Sequence, residues 1–334
     1  MCLVIKQRGW DSMDEISSFV ESVVRSRRFF ESYLDPKKPL AKPAQAQRLI
    51  YQAYRSNGRQ RVKLAKRALS LWPDCADAYL LQSQYAASTA DSIMLLEKGL
   101  EAGERALRAE YKEVDIERLL READSDEPLL SLAEAEAAAG DYAVEFWAQQ
   151  PTRPYMRVRT ELSAQLWEVG DSAEAQGHLR ALLRLCPRDF QGNRYLLAGF
   201  LVDDLTDEPG AFQELGALLA RYESDHSAHW LYTRALWLLK QSEDEPKRNK
   251  AAKRKTAVVA LLRAFEANPF VPALLIDPDA VSMDFSSLAP GSFEEAADYL
   301  DLAGGAWTEN TTALTQLLEL FFKEIGYSEA TNLQ

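Results

Sequence analysis

A set of residues in the middle of the chain carries side chains suited to anchoring a polypeptide: Arg153, Arg157, Arg194, His229, Trp230 and Tyr232. An arginine fork meets a carboxylate through paired hydrogen bonds, and aromatic rings bury a large area with few rotatable bonds. A plainer reading stands beside this one. Arg153 and Arg157 then pair with acids on a neighbouring helix, and Trp230 fills a core. The sequence leaves both open.

A second constellation is the basic run KRNKAAKRK, which holds Lys247, Arg248, Lys250, Lys253, Arg254 and Lys255. It suits contact with an anionic lipid, a nucleic acid or an acidic partner, or it is a solvated helix start. Cations at a helix start oppose the macrodipole, so a loop that orders on binding is a further reading. Another basic stretch lies at Arg55–Arg67.

His226 and His229 are three apart beside Asp225, a spacing that puts both on one helix face. Zinc takes three or four protein ligands, and no other histidine is near in sequence, so no metal site is predicted. The acidic pairs Asp203–Asp204 and Asp277/Asp279 fall in predicted turns, where acids cap helices rather than share a proton. No nucleophile elbow, P-loop, dinucleotide fingerprint or HExxH motif is present, and no cofactor is expected. An enzymatic or enzyme-regulating alternative places a polar site near Arg153–Arg159 and Arg194.

The chain has 334 residues and a net charge of −12. That balance disfavours non-specific nucleic-acid binding, whose affinity comes mostly from neutralising phosphates. Cys2, Cys75 and Cys186 are odd in number and form no CxxC pair, so neither a disulfide framework nor a zinc ribbon is expected. Cys75 and Cys186 read as small residues packing turns. No window approaches the ~20 apolar residues of a membrane span, and MCLVIKQRGW is too short an apolar run for a signal peptide. These features read as a cytoplasmic chain, with Met1 or Met13 as its start.

The elements that must position these residues are helices. Tyr155 to Pro187 reads as a hairpin: Leu162, Leu166 and Val169 share a face of the first helix and Gly170 stops it. Asp171 with Glu174 resembles a capping box, Ala175, Leu179, Leu182 and Leu183 point inward, and Pro187 ends the second helix. Gly170, Ala175, Leu179, Leu182 and Pro187 fall at the spacing of a tetratricopeptide repeat, with a period of about 34 residues. Arg159 stands where that repeat usually has Trp, and Ser163 where it has Gly.

A more specific likeness lies in TRPYMR (Thr152–Arg157), QGNRY (Gln191–Tyr195), ANPFVP (Ala267–Pro272) and WPDCADAY (Trp72–Tyr79). With these phrases the chain resembles the suppressor of tumorigenicity seven family and its soluble bacterial relatives over about residues 40–320. The resemblance implies an all-α, right-handed superhelix of tetratricopeptide-like hairpins, and a scaffold rather than an enzyme. In such a stack the first helix of each hairpin lines the concave face, so Arg157, Arg194, His229 and Tyr232 would share a groove for a protein or peptide segment. The animal members are membrane-associated, whereas nothing in this sequence would span a bilayer.

On this frame residues 1–43 are an N-terminal helix (14–34) and a Pro-Lys linker (35–43), residues 44–270 the repeat solenoid, and residues 271–334 a helical cap. Residues 44–72 are predicted to form a first hairpin with its turn at Ser56-Asn57-Gly58, and 75–87 and 91–107 a second. Residues 110–150 break the register as an irregular insertion, with helices near 114–123, 128–139 and 141–149. Further helices are expected at 190–203, 209–222, 226–241 and 247–267. Val271–Ile276 is a short helix or turn, and Ser282–Pro290 a loop. A helix capped by Ser292 and Glu295 runs to about Leu302, and a last one spans 310–323.

Overall fold

The computed structural model describes residues 41–112, 115–144, 146–205, 210–243, 246–277, 289–324 and 326. The predicted helix at 14–34 and most of the linker lie outside these residues. Among the described residues there are fifteen α-helices and no strand, so the protein is all-α. The chain divides into two compact units, Met1–Asn193 and Arg194–Gln334.

In the first unit α1 (Lys42–Tyr54) packs on α2 (Gly58–Leu71), and α3 (Ala76–Ser83) on α4 (Thr89–Glu110). Lys42 and Pro43, read as linker, form the first turn of α1 instead. Proline fits there because the first helical amides need no acceptor within the helix. After α5 (Ile116–Ala123) and α6 (Leu132–Val144), two 3-10 turns lead into α7 (Arg153–Glu168) and α8 (Ser172–Leu185). Gly140 was expected to divide α6 from a further helix, but α6 runs through it. The run Ala137–Ala139 before it helps sustain the helix despite one glycine, whose cost is about 1 kcal/mol.

The hairpin of α7 and α8 follows its sequence closely. Gly170 takes φ +85°, and Asp171 accepts from the amide of Glu174. The Ser163 hydroxyl donates to the Ala175 carbonyl at 2.8 Å, holding the helices at the distance that the small Ala175 permits. Leu162, Leu179, Leu182 and Leu183 are buried, each worth about 2 kcal/mol before entropic costs. Val169 departs from the expected face: it caps the C-terminus of α7 and is 54% exposed. Helix α7 also packs on α3 and α4. Gly103 makes the second approach possible, since a methyl group there would lie 3.1 Å from the Tyr155 backbone.

In the second unit α9 (Asn193–Asp203, entering the unit at Arg194) is followed by α10 (Ala211–Arg221) and α11 (Ala228–Glu243). Helix α12 (Lys247–Ala267) packs along α11, and α13 (Phe270–Ile276), α14 (Phe293–Glu309) and α15 (Thr311–Glu324) complete the unit. Its core is aromatic: Trp230, Tyr232, Tyr299 and Trp307 are all buried, and the Trp307 indole donates to the Tyr299 hydroxyl at 2.7 Å. Helix α14 extends past the expected Leu302, through Gly304 and Gly305, because Ala303 and Trp307 continue its buried face.

Ser292 caps α14 by accepting from the Glu295 amide at 3.1 Å. The Glu295 carboxylate leaves this local box. It accepts from the amides of Gly291 (2.7 Å) and Ala228 (2.9 Å) and from the Asn268 side chain (3.1 Å). One buried acid thus ties the starts of α11 and α14 to the end of α12. No single helix among the described residues is long and apolar enough to cross a membrane; α12 and α13 meet length and composition only as a pair, bent by 94°.

Candidate functional site

The first unit holds a cavity of about 550 Å³ between α1, the end of α4 and the start of α7. Its size is that of a small-ligand or side-chain pocket. Its aromatic lining comes from Tyr51, Tyr54 and Trp72, and its cationic lining from Arg153 and Arg157. Tyr51 and Tyr54 remain 41% and 40% exposed, so part of each side chain is open to solvent. Their i, i+3 spacing on α1 puts both toward the cavity.

The turn before α7 aims the arginines. Pro151 and Pro154 restrict the backbone, and the buried Thr152 hydroxyl bonds the Gln149 carbonyl at 2.7 Å and that of Phe146. Arg153 is thereby fixed as the first residue of α7. Its Nε donates to the Trp147 carbonyl at 2.9 Å, and its guanidinium stands over the Trp147 ring at 5.4 Å.

The two arginines differ in charge balance. Arg157 grips the buried Asp77 of α3 with three hydrogen bonds of 2.7 to 3.0 Å, and Gln47 donates to the same carboxylate at 3.0 Å. Burial opposes the Arg157 charge, but Asp77 outweighs it and holds the group above its ordinary pKa. Arg153 has no acid in ion-pair reach among the described residues. Burial first, then the Arg157 charge, pull its pKa down, so an incoming anion would relieve it. Tyr51 and Tyr54 stay neutral phenols, raised by burial and then by Asp77. Glu110 sits at the exposed rim.

Sequence reasoning singled out both arginines but missed the rest of this cavity. Tyr51, Tyr54 and Gln47 share one face of α1, a legible signal. That Asp77, inside WPDCADAY, meets Arg157 is a tertiary fact with no local trace.

Arg159 is a second buried guanidinium, bonded to the Tyr155 hydroxyl at 2.6 Å and paired with Asp124. Nearby His178 has neither ring nitrogen hydrogen-bonded, and burial, with the Arg159 charge, lowers its pKa to about 4. Neither group lines the cavity.

Arg194, His226, His229, Trp230 and Tyr232 belong to the second unit. Arg194 meets Asp225 at 2.7 Å, touches the Tyr195 hydroxyl at 2.6 Å and lies over the Tyr195 ring at 4.3 Å. Asp225 in turn receives the Ser227 amide at 2.9 Å, so this acid serves the entry to α11. His229 is buried, with Nε2 3.0 Å from the Asp298 carboxylate but outside hydrogen-bond geometry. His226 is exposed, and no group of three or more metal-ligating side chains occurs among the described residues. Trp230 and Tyr232 are wholly enclosed, the latter donating to the Asn268 carbonyl at 2.7 Å. They fill the core of their unit and present no open surface, which is the packing reading of Trp230. Cys75 and Cys186 are buried free thiols, raised by burial to about 12 and about 11.

The basic run is helical, forming the first turns of α12. Arg248, Lys250, Arg254 and Lys255 are exposed, while Lys253 is half-buried and donates to Gln241 at 3.0 Å. The side chain of Lys247 is outside the described part.

No protein-family model matches the chain, and no curated protein matches it.

Proposed function

We propose that the protein is a non-catalytic binding module that captures a segment of a partner polypeptide in the cavity of its first unit. An aromatic or apolar side chain of the segment stacks among Tyr51, Tyr54 and Trp72, and an adjacent carboxylate meets Arg153. The observation that carries this reading is the pairing pattern: Arg157 is neutralised by Asp77, while Arg153 beside it has no acid among the described residues. Aromatic and arginine anchors in a desolvated pocket dominate peptide affinity.

The resemblance to tetratricopeptide-like scaffolds of the suppressor of tumorigenicity seven family supports the same reading, as does the pairing of α1 with α2, α3 with α4 and α7 with α8. A cytoplasmic setting and a superhelical arrangement of these pairs belong to the proposal. Selection of a displayed random-peptide library on the native chain tests it. Enriched peptides are expected to place an acid next to an aromatic or large apolar residue. They are expected to lose roughly tenfold or more in affinity for Arg153→Gln and for Tyr54→Ala. Enrichment indifferent to both substitutions overturns the reading.

A further inference from the structure

The second unit carries a separate surface whose chemistry differs from the cavity above. From Lys247 to Phe265 the chain has no Asp or Glu, in a protein whose net charge is −12. This stretch is nearly all of α12. Surface helices ordinarily mix both signs, and cations in a first turn oppose the helix dipole, so the segregation costs stability. Arg248, Lys255, Val259 and Arg263 recur at helical intervals on one exposed face. No ion pair involves Arg248, Lys255 or Arg263 among the described residues.

This face borders a groove of about 400 Å³ between α11 and α12. Leu231, Leu238 and Val259 give it an apolar lining, and Arg234, Lys255 and Arg263 a cationic one. Arg234 already donates to the Leu219 carbonyl at 2.8 Å, which fixes it at the edge. Val259 is 42% exposed, so apolar area here is open to a partner. From Arg248 to Arg263 the helix rises roughly 22 Å, the reach of about seven extended residues.

We infer that this groove docks an acidic polypeptide segment bearing apolar residues, with carboxylates along the Arg248–Lys255–Arg263 face and an aliphatic side chain between Leu231, Leu238 and Val259. The apolar lining argues for a peptide over a nucleic acid, which needs phosphate contacts throughout. The concave shape argues against a flat lipid surface.

The test is fluorescence anisotropy at low and physiological salt with four labelled probes. These are a Glu-rich peptide with a central Leu pair, the same peptide with Gly for Leu, an oligothymidylate, and phosphatidylserine-containing vesicles. The Leu-bearing peptide is expected to bind tightest. In an Arg153→Gln background, which takes the first-unit cavity out of the measurement, the double variant Lys255→Glu/Arg263→Glu is expected to weaken it roughly tenfold or more. Val259→Ser, which leaves every charge in place, is expected to remove the preference for Leu over Gly. Equal binding of the two peptides, tighter binding of the oligonucleotide or vesicles, or native affinity in a double variant with native thermal unfolding overturns the proposal.

Discussion

The guanidinium of Arg157 and the buried carboxylate of Asp77, eighty residues apart in sequence, meet through the Nε–Nη2 edge of the arginine. This pair clamps α7 to α3, and Arg157 itself lines the cavity. Removing a single partner leaves a charge buried without its counter-ion. Arg157→Leu is therefore expected to destabilise the chain by about 3–5 kcal/mol in urea unfolding. Asp77→Leu/Arg157→Leu together is expected to recover most of that loss, because neither charge is then stranded. A double variant as unstable as the single one would show that packing, not charge, decides this contact.

Stability below neutral pH is expected to depend on His178. Its folded-state pKa is lowered from 6.5 to about 4, so the unfolded chain takes up a proton that the folded chain refuses. The contribution is full above the unfolded value, and is lost progressively as pH falls from 6.5 toward 4. At the low end the loss reaches about 3 kcal/mol. His178→Leu is expected to flatten that limb of the stability–pH curve, and an unchanged slope would assign it to other groups.

Glu295 is expected to be the most sensitive polar position of the second unit. Glu295→Ala strands the amides of Ala228 and Gly291 and the Asn268 side chain. The two fully buried donors of the three, on Ala228 and Asn268, alone cost about 2–4 kcal/mol. Hydrogen exchange is expected to rise at the starts of α11 and α14, with α7 and α8 unaffected.

Two helix glycines are expected to answer alanine in opposite directions. Gly103→Ala pushes a methyl group to within 3.1 Å of the Tyr155 backbone and is expected to lower the unfolding midpoint. Gly177 on α8 has nothing within 4 Å of that position, so Gly177→Ala is expected to gain about 0.5–1 kcal/mol of helix propensity. Thermal unfolding of both variants checks the pair.

The helices were legible wherever apolar spacing, a cap and a stop coincided. The α7–α8 hairpin shows it: Leu162 and Leu166 carry the face, and Gly170 and Asp171 the turn. The cap at Ser292 was also legible, but the destination of the Glu295 carboxylate was not, since its partners lie in α11 and α12. The same limit applied to the site. Arg153 and Arg157 stood out by type, yet only the fold distinguishes the neutralised arginine from its neighbour. Trp230 and Tyr232 look alike as anchors or as core in sequence, because helical spacing alone does not separate a buried face from a binding face.

The most direct test of the binding reading is a charge-swap titration on Arg153. A library-selected peptide and its acid-to-lysine counterpart are titrated calorimetrically into the native chain and into Arg153→Glu. The account predicts that the acidic peptide loses roughly tenfold or more on the variant and that the lysine peptide regains much of it, a coupling of at least about 1.4 kcal/mol. Equal affinity of the acidic peptide for both proteins would contradict it.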